Sequence, residues 1–306
     1  MTFLSRQPWV GNEESSTPWL QLAGTDWLLG HQVSQTASLV SHLAKPANAM
    51  EHGAVEYRIV RPLPTNSVER QDEAHRALAR LAVSAESIRH QAVLSLVASE
   101  LDQPPFALVL PWVTARPLPA WRAREMELSL SRMLWIARQI AEVVAVCRER
   151  SRVHTRLVPP HILVCPRDRV SVVGWSRSRW QGDLWTDEDL QDESFPWFLA
   201  PEMSIPGHSL TGCEDVFALG AILHYLVSGR LGFSANELDG PSGNLQWLPH
   251  LCAVEPLCPG ELATLVESML SPTPCLRPPM HHVLDALLGL EIDHLGDERL
   301  MGVTPR

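Results

Sequence analysis

The sequence predicts an α+β protein in two lobes, a small β-rich half with one helix followed by a larger helical half. Short apolar runs broken by Gly, Pro or polar residues fill the chain up to about residue 113. Beyond Pro119 the apolar residues recur at helical spacing over long stretches. At 306 residues the chain is too long for one small core.

Taken in order, residues 1–24 are rich in Pro, Ser, Gly and Trp without periodicity, which predicts a flexible lead-in. The N-terminal lobe is expected over 25–113. Its runs "WLLGHQV", "SLVSHLA" and "VEYRIVRPL" predict three strands, and "SVERQDEAHRALARLAVSAESIR" a helix with Ala74, Leu78 and Leu81 on one stripe. "AVLSLVASE" and "PFALVLPWV" return to strand character. The C-terminal lobe is expected over 114–290. "EMELSLSRMLWIARQIAEVVAVCRERS" is its longest helical pattern, and "HILVC" and "VSVVGW" are short strands joined by the turn "PRDR". "CEDVFALGAILHYLVSG" is apolar nearly all round and closed by Gly229, which predicts a buried helix. "PGELATLVESMLS" and "PPMHHVLDALLGL" are amphipathic helices, and 291–306 is expected to be a tail. No internal repeat is visible.

Composition narrows the function classes. The net charge of −10 disfavours nucleic acid, whose phosphates need clustered cations. No apolar run reaches about 18 residues, so no membrane span is expected. The first residues lack a hydrophobic signal core, and the six cysteines show no C-x-x-C spacing, which together predict a reduced, cytoplasmic protein. The acidic run from Asp183 to Glu193 is expected to be a solvated loop. Of the 25 basic residues, 24 are arginine and one is lysine, Lys45, so chemistry that needs a lysine has a single candidate.

Four motifs stand in a fixed order: "HTRLVPPHILV" with His154, Leu157 and Pro159; "FLAPEM" with Ala200, Pro201 and Glu202; "EDVFALG" with Asp215 and Gly220; and "SPTPCLRPPMHHVL" with Arg277. Together they resemble the eukaryotic-like (Hanks-type) serine/threonine protein kinases over roughly 25–290. The resemblance implies a two-lobed protein-kinase-like fold. It also implies structural roles for His154, for Asp215 as anchor of the loop, and for Glu202 paired with Arg277.

The positions that carry phosphoryl transfer depart from the pattern. Arg156 stands where the resemblance implies the catalytic aspartate, and a guanidinium stays protonated and cannot serve as base. Val158 takes the place of the helper lysine, and His161 that of the magnesium-binding asparagine. Gly174 stands for the second metal ligand. Arg58 aligns with the phosphate-binding lysine and Glu73 with its helix partner, which predicts an Arg58–Glu73 pair. The glycine-rich loop falls on "VSQTASLV", which contains no glycine. Lys45, placed past its strand and ahead of a proline, is a weak substitute.

The resulting expectation is a degenerate pseudokinase, not an enzyme, with no cofactor and no Mg·ATP binding, that serves as a protein-binding, scaffolding or allosteric module in signalling. Phe195, Trp197 and Phe198 are its candidate contact for a protein partner. The alternatives are a divergent kinase or nucleotide-dependent transferase that uses ATP in a non-standard way, and a metal-independent nucleotide-binding switch.

Overall fold

The computed structural model describes residues 19–47, 56–125, 128–186, 195–231 and 248–300. Two compact units form, 1–114 with 175–177, and 115–174 with 178–306.

The first unit is built on a six-stranded antiparallel sheet. Its strands are β1 (Trp19–Leu22), β2 (Thr25–Gln35), β3 (Leu39–Pro46), β4 (Tyr57–Pro62), β5 (Ala98–Glu100) and β6 (Ala107–Pro111), ordered β1-β2-β3-β4-β6-β5. Successive side chains point to opposite faces. Val60, Leu108 and Leu110 therefore join Leu78 and Ala82 of helix α1 (Val68–Ser87) in one buried cluster, while Ile59, Ala107 and Val109 join Leu22, Trp27 and Leu29 in another. Burial on both faces is why these strands read as unbroken apolar runs. Ser67 caps α1, its hydroxyl accepting from the Arg70 amide at 3.4 Å.

Several expectations change here. The lead-in is not wholly irregular: Trp19–Leu22 pair with Thr25–Leu28, because a tight reversal at Ala23 and Gly24, both at positive φ, brings the chain back. Residues 1–18 lie outside the described residues. Lys45 lies within β3, opposite Leu28, and not beyond the strand, since Pro46 is tolerated as the terminal strand residue. Of "AVLSLVASE", only its end pairs with β6, because the turn closed by Val93 N–H to the His90 carbonyl at 3.0 Å takes up its start.

The second unit is mainly helical. It begins with β7 (Arg116–Pro117), α2 (Leu118–Arg122) and α3 (Leu130–Glu149). Four short strands follow, β8 (Arg152–Val153), β9 (Ile162–Val164), β10 (Val170–Val172) and β11 (Arg179–Trp180). The helices α4 (Cys213–Ser228), α5 (Leu251–Val254), α6 (Gly260–Met269) and α7 (Met280–Leu300) complete it. Helix α3 starts at Leu130, five residues later than the apolar pattern suggests, because Ser129 takes the cap position. Helix α7 runs through the expected boundary at 290. The β9–β10 turn puts Arg167 and Asp168 at φ 62° and 52°, and Arg132 of α3 holds it by a two-pronged bond to Asp168 at 2.8 and 3.0 Å.

Helix α4 is buried on every side from Glu214 to Val227 and ends on Gly229, whose φ of 70° needs no side chain. Gly220 lies tight against a neighbour, since a Cβ there would lie 2.9 Å from the Met269 Cβ of α6. Gly220→Val is expected to destabilise the fold by about 1–3 kcal/mol through overpacking, read from the midpoint of urea unfolding.

Candidate functional site

The segment that the motifs single out, His154 to Val164, is organised by one buried carboxylate. Asp215, in the first turn of α4, accepts the His154 amide at 2.6 Å and the Thr155 amide at 3.0 Å. Thr155 is β-branched yet sits at φ 64°, a conformation that persists only where its surroundings hold it. Burial, opposed by the His154 amide and reinforced by the charge of Glu214, raises the Asp215 carboxyl to about 7. His154 lies beneath the segment, its Nε2–H donating to the Val173 carbonyl at 3.0 Å while its Nδ1 accepts the Arg156 amide at 3.3 Å. That pattern needs the neutral ring, and burial, helped by the neighbouring His161, lowers its pKa to about 3.

The degenerate positions prove to be coupled. Arg156 and Val158 are buried. His161 donates Nδ1–H to the Arg156 carbonyl at 2.7 Å. Its ring fills the place where a side chain on residue 174 would go: a Cβ built on Gly174 would meet His161 Nδ1 at 2.4 Å. Gly174 also has φ 93°, which disfavours any side chain. The pair therefore offers no carboxylate or amide oxygen to a cation, and the residues present do not fit the magnesium that the resemblance implies.

In the first unit, Arg58 on β4 turns its guanidinium into the sheet. Its NH2 donates to the hydroxyls of Ser34 and Ser41, facing residues of β2 and β3, at 2.7 and 2.8 Å. Among the described residues no carboxylate pairs with it, and burial alone lowers its pKa to about 10. The expected Arg58–Glu73 pair is thus absent: Glu73 is held on its own helix by Arg76 and Arg80, each at 3.2 Å, because their (i, i+3) and (i, i+7) positions share its face. Lys45 lies 3.8 Å from Glu56. The β2–β3 reversal carries no glycine and closes on itself, Thr36 N–H reaching the Leu39 carbonyl at 2.8 Å and the Leu39 amide reaching Thr36 Oγ1 at 3.0 Å.

A second buried polar cluster supports α4. Arg277 forks onto Glu202 at 2.5 and 2.7 Å, stacks 5.0 Å from the Phe217 ring centroid, and reaches the Cys213 carbonyl at 3.0 Å. Beside it Glu214 accepts the amides of Thr211 and Gly212 at 3.0 and 2.6 Å and His208 Nε2–H at 2.8 Å. Glu202, His208 and Glu214 bring their ligand atoms within 4.8 Å of one another, but their oxygens already accept these donors, so the cluster is a hydrogen-bonded clasp. The Glu214–His208 half escaped sequence reading. Its only trace was a second acid beside Asp215 at the head of an apolar helix.

The aromatic set divides. Phe198 is buried, edge-on to Tyr225 at 6.5 Å, whereas Phe195 and Trp197 are half-buried. Phe195 sits at φ 62°. Most of the acidic run, from residue 187, lies outside the described residues.

With this geometry in place, comparison with known proteins is specific. The family described as "Protein tyrosine and serine/threonine kinase" matches residues 60–287. Serine/threonine-protein kinase AfsK of Streptomyces coelicolor is 26% identical over 187 residues, 59% of this chain and 23% of that protein. Serine/threonine-protein kinase PknA of Mycobacterium tuberculosis is 23% identical over 175 residues, 57% and 39% of the two chains. Serine/threonine-protein kinase Pkn1 of Myxococcus xanthus is 24% identical over 161 residues, 49% and 22%. The aligned stretches thus cover well under half of these relatives. The matches correct the expectation that the chain is not an enzyme: the relatives are named as kinases, and that points to an enzyme. No helix among the described residues is long and apolar enough to cross a membrane.

Three measurements check the site. Arg277→Ala leaves Glu202 buried without its cation and is expected to cost about 3–5 kcal/mol in urea unfolding. Gly174→Ala is expected to destabilise, and His161→Ala in the same chain to recover about 0.5–3 kcal/mol as a coupling term in a double-mutant cycle. The carboxyl of Asp215, near 7 when folded and about 3.9 when unfolded, takes up a proton on folding between those values. Its contribution is therefore present below about pH 4 and lost as pH rises through 7, so Asp215→Asn is expected to flatten Tm against pH over that window.

Proposed function

The chain belongs to the protein tyrosine and serine/threonine kinase family, and on that footing we propose that it is a divergent serine/threonine kinase domain whose N-terminal unit receives nucleotide phosphates on Arg58, independently of magnesium. The carrying observation is the part-buried guanidinium of Arg58, held by two serine hydroxyls and paired with no carboxylate among the described residues. A part-buried charge without a counterion favours an anion, and its depressed pKa still leaves it cationic at neutral pH. Arginine occupies the position of the family's lysine and offers a fork of donors suited to phosphate oxygens. Phosphoryl transfer relies on positioning and charge stabilisation more than on covalent work by the protein, so a permanent cation supports it. The metal positions argue for magnesium independence, because His161 fills the space beside Gly174.

A second reading, a protein-binding or allosteric role in signalling for the same domain, is supported by the loop itself. His154 and His161 spend ring donors on backbone carbonyls, Asp215 keeps the segment in shape, and Phe195 and Trp197 remain partly exposed ahead of Glu202.

Thermal shift and transfer of labelled phosphate from ATP separate these readings. Stabilisation by ATP that persists in EDTA and disappears in Arg58→Met is expected, since only a ligand of the native state raises Tm. A shift that requires Mg²⁺ or Mn²⁺ overturns the metal-independent reading. Absence of any shift or transfer overturns nucleotide use and leaves the protein-binding role, which pull-down with Phe195→Ser and Trp197→Ser then tests.

A further inference from the structure

Two of the six cysteines meet in the connection between α5 and α6. The other four sit on separate elements: Cys147 in α3, Cys165 after β9, Cys213 at the head of α4 and Cys275 in a short turn of helix near Arg277. The chain from Cys252 to Cys258 folds back twice, through the Glu255 amide on the Leu251 carbonyl at 2.8 Å and the Cys258 amide on the Glu255 carbonyl at 3.0 Å. The reversal delivers the Cys252 thiol to the Cys258 carbonyl at 4.0 Å, while the Cys258 thiol lies 3.6 Å from the Pro259 carbonyl. A small reagent can reach the loop: Cys252 is only partly buried, and Leu257, beside Cys258, is 91% exposed.

We propose that Cys252 and Cys258 form a redox-active dithiol that closes to an intrachain disulfide by exchange with a low-molecular-weight disulfide of the glutathione type. The more exposed thiolate, Cys252, attacks one sulfur of the reagent; its new S–S bond forms as the reagent's breaks, and one thiolate leaves. Cys258, after losing its proton, attacks the Cys252 sulfur of this mixed disulfide and expels the second thiolate. The dithiol gives up two electrons and two protons, and the reagent becomes two thiols. Burial, the neighbouring Cys252 and Glu255 raise the Cys258 thiol to about 11, so its attack is the slow step and the mixed disulfide has time to accumulate. The closed form ties the head of α5 to the head of α6, the helix that Gly220 of α4 packs against.

The test is incubation of the full chain with oxidised glutathione, alkylation, and mass spectrometry after chymotryptic cleavage. Cleavage after Leu257 puts the two cysteines on different fragments, and cuts after Leu262 and Leu270 separate both from Cys275. The expected result is the 252 and 258 fragments joined, with loss of two free thiols, and a glutathione adduct confined to Cys252 in Cys258→Ser and Cys258→Ala. Adducts on Cys252 of the wild-type chain with no joined fragments, a link to any other cysteine, or reaction at the exposed Cys275 alone would each overturn the proposal.

Discussion

The C-terminal unit depends on placing a carboxylate where water cannot reach it. Burial in the apolar head of α4 holds the Asp215 carboxyl up to about 7, and the cost of its charged form is reduced because two backbone amides, those of His154 and Thr155, converge on its oxygens. The arrangement works in both directions. The amides need an acceptor because the segment leaves β8 in a left-handed conformation at Thr155, and the carboxyl group needs the amides because, among the described residues, no cation is paired with it. Helix α4 can be apolar along most of its length because its polar obligations are concentrated at its ends, here in Glu214 and the Arg277–Glu202 fork and at the far end in buried His224, bonded to the Pro249 carbonyl at 2.9 Å.

That concentration explains what a family keeps when its chemistry drifts. The contacts that fix the start of the loop run through the His154 and Thr155 amides and Asp215 on α4, so they do not depend on which side chains stand at 156, 158 and 161. Arg156, Val158 and His161 occupy a segment whose course is fixed from behind. The match over residues 60–287 and the departures within it are therefore compatible.

Much of this was legible in the sequence. The order of strands and helices followed from periodicity, and Gly229 marked the end of α4 because only a left-handed terminus required it. His154, Glu202, Asp215 and Arg277 were singled out by what the resemblance carried by the four motifs implies. The failures have physical causes. Arg58 was paired on paper with Glu73, but pairing depends on side-chain direction, and within α1 the arginines at 76 and 80 were nearer competitors. The stretch from Val33 to Val40 was read for the glycines it lacks, whereas across the β2–β3 ladder its Ser34 faces Ser41 and both accept from Arg58. Cross-strand register is not written locally in a sequence, and neither is the distance between Cys252 and Cys258.

The contact between His161 and Gly174 bears on how such a domain could change over generations. A glycine whose missing Cβ is already replaced by a neighbouring ring cannot regain a side chain by one substitution, since the atom it would add overlaps the imidazole at 2.4 Å. Replacing His161 alone opens a void and removes the bond to the Arg156 carbonyl without restoring any ligand. Each one-step route back towards a metal site therefore passes through a less stable protein, and selection on folding opposes it before any gain in chemistry is available. The ring and the glycine are thus one unit of packing, and a change at either position needs a matching change at the other.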